Sequence, residues 1–464
     1  MHVRSTVRGV VSALYSSAWP LLRPNGYMGR LRAAMRARTG LEWTSPGEVW
    51  DRQKTRLNAL LATAAQHVPY YRRLAAEARM PTRVDRPEDL TAVPVLTKAI
   101  IRQEDEALLA DNFPRNLMYR NATGGSTGEP LHFWSDHTAV LLSNAGEAWA
   151  TTVAGLRPAS AMAFLWGAGR FEPSTRQDLK ESFLRFITNR LFIDCFHMSE
   201  DDLRRAHMRL SRFEPDALVG YSSALVELAA FLRREGLRPD YPRRAVLSAA
   251  ETLDEVSRQI LEQTFGVQVY DRYGSREIGL IAMECDRHEG LHMDCENVFV
   301  ELADDPDGSG MRRILVTKLN QFSMPFIRYD IGDLAEGPLS VCSCGRGYPV
   351  LKRIVGRVTE MIRLPGGGCL PGELFPHLFK DCGIASYRVV QAADYSLDVA
   401  LVRTPEQTPE QDAALRRIIA DRVGPTVPVQ IRHVETIDRS ATGKLLPVIS
   451  HAPKTPRRAE RKLT

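Results

Sequence analysis

The ten residues Asn121–Pro130 read Asn-Ala-Thr-Gly-Gly-Ser-Thr-Gly-Glu-Pro. Gly124, Gly125 and Gly128 let the backbone approach a ligand closely and turn its amides toward an anion. Thr123, Ser126 and Thr127 add hydroxyl donors. This is the chemistry of a polyphosphate cradle, although the same composition also serves as a plain surface turn. A Walker loop would end in Gly-Lys-Ser/Thr. Here Gly128 is followed by Glu129 and Pro130, so any lysine that contacts phosphate must come from elsewhere in the chain.

Four more stretches carry residues suited to the same chemistry. Glu277 lies in Tyr-Gly-Ser-Arg-Glu-Ile-Gly (273–279), just after an expected strand, where a carboxylate can hold Mg²⁺ against phosphate oxygens. Asp333 lies in an expected Gly-Asp turn and can accept two sugar hydroxyls. Arg357, near an expected domain boundary, can reach phosphate or ribose, and Lys444 follows a glycine in a late loop. Each of these alone is also an ordinary surface charge. Cys285-x-x-His288, with His292 shortly after, and Cys342-x-Cys344 form two half-sites whose thiolate and imidazole ligands suit tetrahedral zinc. The expected set is Cys285, His288, Cys342 and Cys344, with His292 as the substitute.

The elements that must position these residues follow from periodicity. The first 90 residues read as mainly helical, with Leu57, Leu60, Leu61 and Ala64 at helical spacing and a break at Pro69. From Ser199 to Tyr270 helices and strands alternate. Ser199 with Asp202 and Thr252 with Glu255 read as capping boxes, and 217–220, 245–248 and 267–270 read as short strands. That alternation predicts a parallel sheet covered on both faces, with ligands at the carboxyl ends of the strands. After residue 357 a tight turn at 364–368, a hairpin through 387–390 and 396–402, a helix entered at Thr408–Pro409 and a strand at 428–434 predict a small α+β domain. The expected division is 1–356 and 357–464, with a basic tail at 453–464.

Composition narrows the function classes. With 44% hydrophobic and 25% charged residues and a net charge of +5, the chain has an ordinary globular balance that does not point to nucleic acid. The apolar stretch Gly9–Leu22 is too short for a membrane span and lacks a convincing cleavage site, so it is expected to be an amphipathic helix. Seven unevenly spaced cysteines do not form a disulfide framework, and a cytoplasmic setting is expected.

Taken in order, these motifs resemble the adenylate-forming superfamily, which contains acyl-CoA synthetases, luciferases and adenylation domains. The resemblance runs from about residue 50 to 450. His67–Tyr71, the glycine-rich loop, Ser248–Glu251, Tyr273–Gly279, Met324–Asp333, the Cys342–Arg357 run and Thr442–Lys444 make it closest to the phenylacetate–CoA ligase branch. Within that branch it looks most like the capsular-polysaccharide or coenzyme-F synthetase-like members. The resemblance implies a large α/β adenylate-forming domain and a small mobile C-terminal domain. It implies that Thr123–Gly128 cradle the phosphates and that Tyr273, with Gly274 and Ser275, lies against adenine. It further implies that Glu277 ligates Mg²⁺, that Asp333 and Arg357 hold ribose, and that Lys444 swings onto the carboxylate and α-phosphate.

Three departures stand out: Glu129 replaces the loop lysine, Arg276 stands where threonine is common, and Thr359, two residues after the hinge arginine, stands where Asp or Lys is common. Arg276 is a candidate for holding the carboxylate or α-phosphate, and Thr359 bears on how the CoA half-reaction is reached. His132, Trp134, Trp166, Tyr221, Ser222 and Ala249 are the expected acyl pocket, and their aromatic character favours an aryl or arylacetic acid. The expected reaction is ATP-dependent formation of an acyl-adenylate and then a CoA thioester. The expected partners are a small carboxylic acid and CoA, with a second copy of the chain allowed for. Two alternatives stay open: transfer of acyl or AMP to an amine, alcohol or carrier-protein acceptor without CoA, and a non-catalytic nucleotide-binding module.

Overall fold

In the computed structural model the described residues are 26–123, 131–157, 159–166, 188–195, 198–304, 311–357, 361–365, 369–371, 374–379, 382–403, 409–424, 426–438 and 445–452. Among the described residues the lead-in is mainly helical over 27–76. It comprises α1 (Tyr27–Leu41), α2 (Pro46–His67) and α3 (Pro69–Ala76). Ser45 and Glu48 cap α2 reciprocally, Pro46 fits its first turn, and Pro69 restarts the helix as α3. The expected helix at 9–22 lies outside the described residues.

The body then alternates strand and helix. A hairpin of β1 (Met118–Ala122) and β2 (His132–Asp136) precedes α4 (His137–Val153), which Asp136 caps through Oδ1. Next come β3 (Met162–Trp166), β4 (Arg190–Asp194), α5 (Glu200–Phe213), β5 (Ala217–Tyr221), α6 (Ser222–Arg234), β6 (Ala245–Ala249) and α7 (Glu255–Phe265). The run closes with β7 (Gln268–Ser275), β8 (Gly279–Glu284) and β9 (Leu291–Met293). The Ser199–Asp202 capping box forms as read. The one expected at Thr252 does not, because Asp254 caps α7 by accepting from the Ser257 amide.

A second group of strands, β10 (Val298–Asp304), β11 (Arg312–Lys318), β12 (Tyr329–Ala335), β13 (Val350–Leu351) and β14 (Ile354–Arg357), follows. The large sheet has the order β13-β9-β8-β7-β6-β5-β3-β4, with β4, β3, β5, β6 and β7 parallel and β8, β9 and β13 antiparallel. The expected parallel sheet is therefore only part of a mixed one. β10, β11, β12 and β14 form a separate antiparallel sheet.

Both faces of the large sheet are covered. Along β5 and β6, Ala217, Val219, Ala245 and Leu247 pack into the core shared with α2 and α4. Their neighbours Leu218, Tyr221 and Val246 pack under α5, α6 and α7. That alternation of equally apolar side chains is what a doubly covered strand requires. After residue 360, β15 (Met361–Arg363) and β16 (Cys369–Pro371) pair. α8 (Leu374–Phe379) and α9 (Pro409–Val423) pack on a sheet of order β19-β18-β17-β20, made of β17 (Ile384–Gln391), β18 (Leu397–Arg403), β19 (Val429–His433) and β20 (Val448–Ser450). Among the described residues no helix is long and apolar enough to cross a membrane.

One buried ion pair joins the lead-in helices to the sheets. Arg38 on α1 donates to both Asp294 oxygens at 2.9 and 3.2 Å, and both side chains are fully buried. Burial pushes the Asp294 carboxyl up, and Arg38 opposes that shift. Removing one member of a buried pair leaves an uncompensated charge and costs about 3–5 kcal/mol. Arg38→Met should lower stability to urea by about that amount, whereas Arg38→Met with Asp294→Leu should recover most of it. Equal losses in the single and double variants would show that the pair is not the relevant interaction.

Candidate functional site

The site forms at the carboxyl edge of the large sheet. Tyr221 and Ala249 end β5 and β6 and are neighbours in register, with Arg272 of β7 beside Ala249. The Trp166 ring at the end of β3 lies 4.6 Å from that of Tyr221. Tyr221, Ser222 and Ala249 are buried. Four of the six expected pocket residues thus meet on one edge of the sheet. His132 and Trp134 stand instead on the β1–β2 hairpin, with His132 exposed and Arg115 over the Trp134 ring.

Glu277 sits in the turn between β7 and β8. Gly274 makes this hairpin possible, since a Cβ there would lie 2.6 Å from the Gly279 carbonyl oxygen. Ser275 Oγ accepts from the Ile278 amide, and Arg276 projects into solvent. The Glu277 carboxylate is buried and its Oε1 accepts from the Tyr329 hydroxyl at 2.9 Å. Burial, and next the Glu277 charge, push the Tyr329 phenol well above its usual range, so it remains a donor. Lys318 Nζ donates to the Glu277 backbone oxygen at 3.0 Å. Tyr273, on the same hairpin, donates its hydroxyl to Asp333 Oδ2 at 2.8 Å. Two hydrogen bonds therefore connect the large sheet to β12 of the second sheet. The Glu277 and Asp333 carboxylates carry hard oxygen ligand atoms of the kind that suit Mg²⁺ or sugar hydroxyls.

Asp333 is not in a turn as expected. It lies within β12, where Gly332 takes φ +87° and bends the strand. Its register partner across the ladder is Arg357, the last residue of β14, whose side chain lies outside the description. Thr123 and Leu131 are tied by two hydrogen bonds of 2.9 Å, so the two ends of the glycine-rich loop are held together at its base. Gly124, Gly125, Ser126, Thr127 and Gly128 lie outside the described residues, as does Lys444. The residue after Lys444 is described: the Leu445 amide donates to Glu251 Oε1 at 2.9 Å, while Glu251 Oε2 accepts from Ser223 at the start of α6 at 2.8 Å.

Sequence reasoning missed Glu251, Tyr329 and Lys318 as site residues. Glu251 and Tyr329 stood inside recognised motifs, Ser248–Glu251 and Met324–Asp333. Lys318 gave no signal beyond a charge ending an apolar strand.

The cysteine half-sites also meet, with a correction. Cys285, His292, Cys342 and Cys344 bring their ligand atoms within 4.8 Å of one another. His288 is not among them. It sits in a turn at φ +53°, with Nδ1 3.1 Å from Glu284 and its ring against Tyr270.

No family model matches the chain. It is similar to a phenylacetate-coenzyme A ligase of Thermus thermophilus, with 26% identity over 432 residues covering 86% of this chain and 95% of that protein. It is also similar to protein CapK of Staphylococcus aureus, with 24% identity over 280 residues, 59% of this chain and 60% of that one. Among solved structures, 2-hydroxyisobutyryl-CoA ligase in its postadenylation state superposes with a TM-score of 0.70 at 20% identity, covering 88% of this chain and 91% of that chain. The same ligase in its thioesterification state gives 0.57.

Lys318 offers a direct check on this geometry. Desolvation lowers its ammonium to about 8 from the ordinary 10.5, opposed by the Asp136 and Glu277 charges. Between those values the unfolded chain binds the extra proton, so stability rises with pH there. The buried charge costs most below about 8, and the cost is relieved as pH climbs toward 10.5. Lys318→Met has no such proton to lose. The stability of wild type relative to this variant in urea unfolding should therefore grow between roughly pH 8 and 10.5, by up to about 1.4 kcal/mol per unit. A difference that is flat with pH would mean that Lys318 is solvated.

Proposed function

Because the chain belongs to the adenylate-forming superfamily, on its phenylacetate–CoA ligase branch, we propose that it activates a carboxylic acid with ATP and passes the acyl group to CoA. The observation that carries this reading is the bond between Tyr273 and Asp333 on the hairpin that also carries Glu277. It sets the Tyr273 ring and the carboxylates of Asp333 and Glu277 at one edge of the sheet, which supports the roles given below.

On this reading Tyr273, beside Gly274 and Ser275, faces the adenine, and Asp333 accepts from the ribose hydroxyls with Arg357 nearby. Thr123–Gly128 hold the β- and γ-phosphates. Glu277 would hold Mg²⁺, which supplies positive charge to the phosphate oxygens. A substrate carboxylate oxygen attacks the α-phosphorus, the bond to pyrophosphate breaks, and an acyl-adenylate forms. Two anions meet in that step, so positive charge must be supplied where charge develops. Lys444 supplies it from the small domain, with Arg276 as the second candidate. The bond from Leu445 to Glu251 supports this role, since it ties the segment after Lys444 to the head of α6. The CoA thiolate then attacks the acyl carbon and AMP leaves. Trp166, Tyr221, Ser222 and Ala249, with His132 and Trp134 from the hairpin, would line a pocket for an aryl or arylacetic acid.

Zinc in the Cys285, His292, Cys342 and Cys344 group takes no part in this chemistry, because Cys285 follows the far end of β8 from Glu277. A cytoplasmic setting without a nucleic-acid partner belongs to the same proposal.

Pyrophosphate exchange across a panel of carboxylic acids tests this reading. Exchange should depend on an aromatic acid and not on CoA, whereas thioester formation should need CoA strictly. Exchange without any acid, or an amide or ester formed in place of the CoA thioester, would overturn it. Glu277→Gln should lower exchange by about 10²–10³. Lys444→Ala should abolish exchange while ATP binding, read by calorimetry, stays close to wild type. Full exchange in Lys444→Ala would defeat the assigned role.

A further inference from the structure

We propose that Cys285, His292, Cys342 and Cys344 hold a structural zinc ion that fastens the β9–β13 edge of the large sheet to the turn between α1 and α2. The distances fit the ion. Cys285 Sγ and Cys342 Sγ are 3.7 Å apart, and Cys344 Sγ is 3.3 Å from His292 Nε2. Tetrahedral zinc with bonds of about 2.3 Å to sulfur and 2.0–2.1 Å to nitrogen needs edges of roughly 3.8 and 3.5 Å. The sulfurs are free thiols.

The surroundings are those of a metal site. His292 Nδ1 faces the Tyr348 carbonyl oxygen at 3.2 Å. Donating there places the proton on Nδ1 and leaves the Nε2 lone pair for the ion, the outer contact by which ligating histidines are oriented. Three backbone amides point at the three sulfurs: Arg287 to Cys285 at 3.4 Å, Cys344 to Cys342 at 3.5 Å and Arg346 to Cys344 at 3.5 Å. Each amide lies two residues past its cysteine and would stabilise a thiolate. Topology explains why His292 is the ligand. It sits on β9 opposite Val350 of β13, so the ladder carries it to the strand that follows the Cys342–Cys344 loop.

The tether runs through the same loop. Arg346, two residues past Cys344, donates Nε to Glu42 Oε2 at 2.9 Å and lies 4.6 Å over the Trp43 ring. Glu42 Oε2 also accepts from Trp149 Nε1 at 3.0 Å, and the Gly347 amide donates to the Glu42 carbonyl at 2.8 Å. Any side chain at Gly347 would collide with the Thr44 carbonyl. The ion would thus close two loops that are distant in sequence and fix the docking surface of the lead-in helices.

The test uses the full chain and reads metal directly, so it stands or falls apart from the adenylation reading. Protein purified without chelator should contain about one equivalent of zinc by elemental analysis, and cobalt(II) exchanged into it should show the visible bands of a tetrahedral thiolate site. Cys342→Ala and His292→Ala should lose the metal, whereas His288→Ala should keep it. Arg346→Met should keep the metal yet become cleavable by protease between residues 42 and 46, as should wild type stripped by a thiol-directed mercurial. Metal-free wild type that takes up neither zinc nor cobalt, or a Cys285–Cys342 disulfide in freshly reduced protein, would overturn the site. Unchanged proteolysis after stripping would overturn the tether.

Discussion

Two tyrosine hydroxyls hold the site together. Tyr329 reaches from β12 to Glu277, and Tyr273 reaches from β7 to Asp333. The large mixed sheet and the small antiparallel sheet share no ladder, so these bonds fix the distance between the two carboxylates. A buried carboxylate must keep its hydrogen bonds or change its protonation. Glu277 meets this demand with a phenol that burial keeps protonated and with a lysine on its own backbone oxygen. The arrangement preorganises oxygen donors before any ligand arrives, where electrostatic catalysis gains most.

Support for these bonds extends well beyond the site. Asn297 donates through Nδ2 to the backbone oxygens of Ile278 and Leu280 at 3.3 and 3.0 Å, and so grips the strand that leaves the Glu277 turn. Asn297 itself belongs to the short segment that begins at Asp294, which Arg38 holds from α1. Arg52 and Arg56 of α2 both hold Glu296 in between. The lead-in helices therefore act as a brace whose charged contacts converge on one segment beneath the site. Buried ion pairs are poor sources of net stability but strict about geometry, and geometry is what this segment requires.

The sequence was most readable where local chemistry decides the outcome. The Ser199 cap, the buried runs of β5 and β6 and the β17–β18 hairpin needed only propensity and period, and the structure has them. It was least readable where pairing partners decide. His288 satisfies a metal-ligand spacing as well as His292 does, but only the β9–β13 ladder shows which imidazole faces the cysteines. Asp333 looked like a turn residue because glycine precedes it. In the fold, that glycine bends a strand rather than ending one. The antiparallel end of the large sheet was hidden for a related reason. β8 is buried almost throughout, so its run of apolar residues resembles a parallel strand. Lys318 and Tyr329 matter through neighbours far away in sequence, which no local window contains.

Glu251 joins the large body to the segment that follows Lys444. Its carboxylate accepts one amide from the first turn of α6, where the helix dipole favours negative charge, and one from Leu445. The first contact is internal to the large body, and the second reaches the segment that follows Lys444. A hydrogen bond to a charged group contributes about 1.5–3 kcal/mol. That biases a two-state equilibrium by roughly 10- to 150-fold. A buried ion pair like Arg38–Asp294 at the same place would be too costly to break. The two kinds of contact thus divide by place: buried charge pairs such as Arg38–Asp294 lie beneath the sheet, and among the described residues an amide–carboxylate bond joins Leu445 to Glu251.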